Sequence, residues 1–163
     1  LFYLFSAASS WSPGPPSPVP GHAGKRITLM DKKFCFDALA EEGFQPEIDE
    51  DGDISFLAGE ISLSLILDEE DKDFFSLVCA FEVDDMDQLE LFYSAASEAS
   101  REYRIAKAYI GEIEDECFEI RFCVEGLATP ELFRSNLRRY VELLLDMQES
   151  VFDACEEDDT DAE

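Results

Sequence analysis

Histidine is nearly missing from this chain: there is one in 163 residues, His22. It lies ahead of the stretch that reads as a folded body. A body without histidine has no Ser–His or Cys–His pair, the common means of activating a nucleophile. Cysteine is sparse and scattered. The five thiols, Cys35, Cys79, Cys117, Cys123 and Cys155, include no CxxC pair. An odd number without framework spacing points to reduced thiols in a cytosol. Cys117 and Cys123 lie about 20 Å apart at strand rise, too far for one zinc ion. Gly111 and Gly126 stand alone, so no phosphate loop is present. No run reaches the roughly 18 apolar residues of a membrane span. Basic residues are few: 12 against 39 acids, for a net charge of −27. Such a surface repels phosphate backbones and anionic lipid, which argues against nucleic acid and membrane as partners. It suits a soluble protein, or one whose partner is basic.

What is present is a core. Apolar residues make up 46 % of the chain and 14 are Phe, each worth about 1.5–3 kcal/mol when buried. The length suits one domain. Residues 1–29 differ from the rest: LFYLFSAASSW is apolar, and SPGPPSPVPG holds five of the seven prolines. Three readings stand: upstream sequence ahead of a start at Met30, a truncated signal peptide, or a Pro-rich linker in polyproline II form. On any of them the leader is expected to be non-native or disordered. One domain is expected over 30–155, and an acidic disordered tail over 156–163.

Within the body, apolar alternation and turn residues predict the elements. A helix is expected at 31–42, capped by Asp31 and stopped at Gly43. Strands follow at 44–48, 53–58, from Ile61 to Leu67 and at 74–81, with a tight turn at Asp51-Gly52. Leu89, Phe92, Ala96 and Ala99 recur at helical spacing over 86–102. Strands at 105–110 and 117–124 come next. Thr129-Pro130 then opens a helix expected to reach about 153. The order α-β-β-β-β-α-β-β-α describes an α+β domain with helices packed on an antiparallel sheet.

The words DEDGDISF (49–56), DEEDKDFF (68–75) and AKAYI (106–110) carry a resemblance. Over about residues 31–152 the chain resembles the YbjN-type bacterial family, loosely labelled sensory transduction regulators. The resemblance implies the fold of type III secretion chaperones and an acidic, dimeric binding protein. These words are turn and core signatures, not catalytic motifs. Relatives often carry Asn where this chain has Ser97 or Ser100.

The acidic turns invite a metal reading. From Asp49, however, a glycine falls at the fourth position and Glu60 at the twelfth, whereas a calcium loop needs its glycine at position six. A hairpin turn explains Asp49–Asp53 better, and a solvated loop explains Asp68–Asp73. No metal or other cofactor is expected. With 39 acids, a carboxylate pair is an unspecific sign of acid–base chemistry. Arg101, Arg104, Lys107, Arg134 and Arg138 form a candidate basic patch; the competing reading pairs the helical ones with Glu131, Glu142 and Asp146 of their own helix. Leu57, Ile66, Phe74 and Val78 point opposite to the main alternating sets. They form a candidate partner or dimer face unless the last helix or loops cover them.

These features point to a non-enzymatic, acidic protein-binding module of chaperone or adaptor type. The expected protein is a homodimer in a bacterial cytoplasm, with a protein client. A regulator without a client segment and a carboxylate- or metal-dependent enzyme are the alternatives.

Overall fold

A computed structural model of the chain describes residues 30–68 and 70–160, with side chains to residue 156. The expectations for residues 1–29 and for 161–163 lie outside the described residues.

Helix α1, Lys32–Glu41, begins where the Asp31 carboxylate accepts the Phe34 N–H at 2.8 Å, satisfying one of the first-turn donors. It ends before Gly43, whose φ of 97° suits glycine. Four strands follow: β1 Glu47–Ile48, β2 Ile54–Ala58, β3 Ile61–Leu67 and β4 Phe74–Val83. Strand β1 is shorter than the expected 44–48, since Pro46 brings no N–H and pairing starts at Glu47↔Ser55. A short 3₁₀ turn capped by Asp85 leads into α2, Leu89–Glu102. Strands β5 Ala106–Ile113 and β6 Phe118–Leu127 precede α3, Pro130–Thr160. Strand β5 outruns the expected end at 110 because an irregularity between Ile110 and Ile113 lets pairing resume at Ile113↔Phe118. Helix α3 also outruns its expected end. The segment expected to be disordered from 156 continues the helix to Thr160. Acids are unfavourable at a helix C-terminus, but buried Val151 and Cys155 hold the preceding turns against the core.

The sheet is antiparallel with order β1-β2-β3-β4-β6-β5. One row shows the logic of its core: Ile54, Leu65, Leu77, Val124 and Ala106 are successive cross-strand partners, and all are buried. The helices lie on that face. Phe133 and Tyr140 of α3 meet Phe75 at 5.1 and 5.3 Å between ring centroids. Phe152 meets Phe81 and Phe92, each at 5.3 Å, and Phe92 meets Phe118 at 5.5 Å. Phe thus joins α2, α3 and the sheet in one cluster. Helix α1 is tied to α3 by Arg138, which donates to the Glu42 carboxylate at 2.9 Å and to its carbonyl at 2.7 Å.

Candidate functional site: an open sheet face and a half-sealed edge

Because side chains alternate along a strand, the residues between the core positions share the other face of the sheet. Among the described residues no helix covers it. Leu57 is 60 % exposed and Ile66 40 %, while Phe74 and Val78 are half-buried. The four therefore lie on one face, and the alternative of covering by α3 does not occur, since α3 packs on the core side. Leu127, the cross-strand partner of Phe74, adds a further exposed apolar group.

Two bases of this face are each answered by an acid, while Glu47 and Glu82, on the same face, form no ion pair among the described residues. Lys107 bonds Glu125 at 2.7 Å, and Arg121 is paired with Glu119. Each bond, with the acid's charge, raises the pKa of its base, the hydrogen bond being the larger cause for Arg121 and for Lys107 alike. Between the pairs sits Cys123, buried although it points away from the helices. Burial first, and Glu125 second, push its thiol up and keep it protonated.

The expected basic patch does not act as one unit. Lys107 belongs to the open face, and Arg134 and Arg138 pair with Glu41, the last residue of α1, and with Glu42, which follows it, at 3.3 and 2.9 Å. Their partners are therefore not the acids of their own helix. Arg134 also lies over the Phe34 ring, 4.9 Å from its centroid. Arg101 and Arg104 form no ion pair among the described residues.

The acidic turns have structural tasks. Asp49 accepts the N–H groups of Asp51 and Asp53 at 3.1 and 2.8 Å, closing the β1–β2 hairpin. Asp68 accepts those of Glu70 and Asp71 at 2.7 and 3.0 Å, bonds that lower its pKa, the one from Asp71 most. One acidic grouping escaped the sequence. The ligand atoms of Glu82, Asp84 and Cys117 lie within 4.8 Å of one another. Desolvation, then Glu82, raises the Cys117 pKa, which keeps the free thiol protonated.

The second feature missed from sequence is at the sheet's edge. Among the described residues strand β5 is the outermost strand, and its outer row of backbone groups has no neighbouring strand there. Helix α2 seals it at one point. The Ser100 hydroxyl accepts the Ala108 N–H at 2.9 Å and donates to the Ala108 carbonyl at 3.1 Å. Beyond that seal a groove of about 600 Å³ opens between α2 and β5, lined by Leu89, Glu90, Tyr93, Ile110, Gly111 and Ile113. Tyr93 is 68 % and Ile113 57 % exposed.

A family model described as "Putative bacterial sensory transduction regulator", YbjN, matches residues 36–157. The chain belongs to the YbjN family. Two solved structures share its fold. One is the crystal structure of YbjN from E. coli, titled "a putative transcription regulator". It is 12 % identical, with a TM-score of 0.61, over 78 % of this chain and 94 % of that one. The other is an uncharacterized protein from Methanothermobacter thermautotrophicus, 15 % identical with a TM-score of 0.53, over 77 % of this chain and 96 % of that one. At such identities the likeness concerns the fold of the YbjN domain. No curated protein matches the chain. Among the described residues, no helix is long and apolar enough to cross a membrane.

Proposed function

We propose that this YbjN-family chain is a non-enzymatic protein-binding module of chaperone or adaptor type, working in the cytoplasm as a homodimer. The observation that carries the reading is the sheet face that no described helix covers, where Leu57 and Ile66 are exposed, an arrangement that suits a partner surface. A second copy suits this face because of charge. The body from residue 30 carries 10 bases against 39 acids, so two copies repel over most of their surfaces. At the middle of the open face Lys107 and Arg121 answer Glu125 and Glu119, so a two-fold contact centred on Ile66 and Val78 brings together less unpaired charge than one centred on Glu47 or Glu82. The net charge disfavours nucleic acid and anionic membrane as partners. The free thiols, buried apart from the half-exposed Cys117, suit a reducing compartment. The family description favours a regulator that holds no client segment as the second reading.

Sedimentation velocity tests the dimer. Wild type should sediment as a dimer, more completely as salt screens the net charge. Leu57→Asp and Ile66→Asp should each give a folded monomer, because each leaves an unpaired carboxylate in the contact. A wild-type monomer at every salt concentration would refute the proposal.

A further inference from the structure

We propose that the groove between α2 and the outer half of β5 takes an extended, basic-and-apolar segment of another protein, added to the sheet as a seventh strand. The inference rests on the protein-binding reading and gives that binding a place and a chemistry.

The geometry starts from Ser100. Its hydroxyl engages both backbone groups of Ala108, so those groups face away from β6. Backbone groups two residues apart along a strand point the same way, so those of Ile110 face outward too. Among the described residues they have no partner beyond β6. The edge is therefore closed at Ala108 and open from Ile110 to Ile113. The open part coincides with the apolar groove. An added strand would form main-chain bonds with Ile110–Ile113 and lay alternate side chains between Tyr93 and Ile113. Gly111 keeps this stretch from carrying a side chain, and a Cβ there would run into the Glu119 carboxylate held by Arg121.

Charge selects the occupant. Glu90 lines the groove, and exposed Glu112 and Glu114 flank Ile113, while Arg121 is occupied by Glu119. A second copy would set these acids against their own equivalents. A segment with Lys or Arg beside its apolar residues would answer them.

The test is fluorescence anisotropy with labelled eight-residue peptides on the full chain. One peptide alternates Val with Lys, a second alternates Val with Glu, and a third is the Val/Lys peptide N-methylated at every second residue. The Val/Lys peptide should bind saturably and weaken with salt. N-methylation, which removes strand pairing, should weaken it by about tenfold or more, as should the double substitution Tyr93→Ala with Ile113→Ser. Leu57→Asp, on the open face, should leave peptide binding unchanged whether or not the dimer forms there. Circular dichroism checks that the double variant is folded, and the N-methylated peptide tests strand addition on wild type alone. The proposal is overturned by equal binding of the Val/Glu peptide, by indifference to N-methylation or to the double substitution, or by no saturable binding up to about 1 mM, the weak limit for such motifs. It is equally overturned if the double substitution converts a dimer to monomer, which would put a second copy in the groove.

Discussion

Replacing Ser100 by Ala removes one oxygen, yet it should unseat the edge of the sheet. The hydroxyl serves as both acceptor and donor for Ala108, at 2.9 and 3.1 Å. Two net hydrogen bonds at about 1 kcal/mol each give a loss of about 2 kcal/mol. Ala108 is 7 % exposed, so water reaches its backbone poorly after the substitution. If both groups stay dry, the desolvation penalty raises the loss towards about 4 kcal/mol. Urea unfolding followed by circular dichroism reads the total. Amide exchange reads the place: the Ala108 N–H should exchange about 30-fold faster or more, the factor that 2 kcal/mol commands. Amides at the centre of β4, far from the edge, should change only with global stability. Ser100→Thr, which keeps the hydroxyl, should recover most of the loss. A change in unfolding free energy below about 0.5 kcal/mol, the size of ordinary surface substitutions, together with unaltered Ala108 exchange, would refute the account.

Phe133→Ala empties a fully buried site against Phe75 and should cost about 3–5 kcal/mol in chemical denaturation; a loss under about 1 kcal/mol would show that α3 repacks freely. High pH should destabilise the protein through its thiols. Burial pushes Cys35 and Cys79 up to about 12 from 9.0. A thiol pKa raised by folding gives stability that is complete below about 9 and lost as pH climbs towards 12, because the unfolded chain ionises first. At pH 10 each thiol should account for about 1.4 kcal/mol of that loss. Replacing both by Ser, or by Ala at the cost of small cavities, should flatten the alkaline limb of the stability curve, and an unchanged limb would assign it to other groups.

Much of the fold was legible because strand alternation is strict where one face is dry. Phe118, Ile120, Phe122 and Val124 announce β6, and Leu63 and Leu65 announce β3. The opposite parity of Leu57 and Ile66 was equally visible, but not whether anything covered them, since the face on which helices settle is decided by tertiary packing. Strand ends were harder. The irregularity after Ile110 breaks the alternation that marks β5, and α3 keeps its helical path into acids that composition alone assigns to a tail. The Ser100–Ala108 pair left no sign, because a serine near a helix end reads as a solvated residue. The pairing of Arg138 with Glu42 spans 96 residues, while the nearer acids of its own helix offered a local alternative that the fold does not use.

The order of the strands has a consequence for how the chain assembles. Strands β1 to β4 form a sequential meander, and β5 and β6 form a hairpin closed by the four residues 114–117. The two local pieces meet along one seam, β4 on β6, running from Phe74↔Leu127 to Val83↔Phe118. Closing that seam spans the 34 residues between Val83 and Phe118, an entropy cost about 2 kcal/mol larger than for a four-residue loop. Meander and hairpin can therefore organise separately on the microsecond scale of hairpin formation, with the seam as the slow, non-local event. Mutations along β4 and β6 should then slow folding, whereas those confined to β1 or α1 should mainly hasten unfolding.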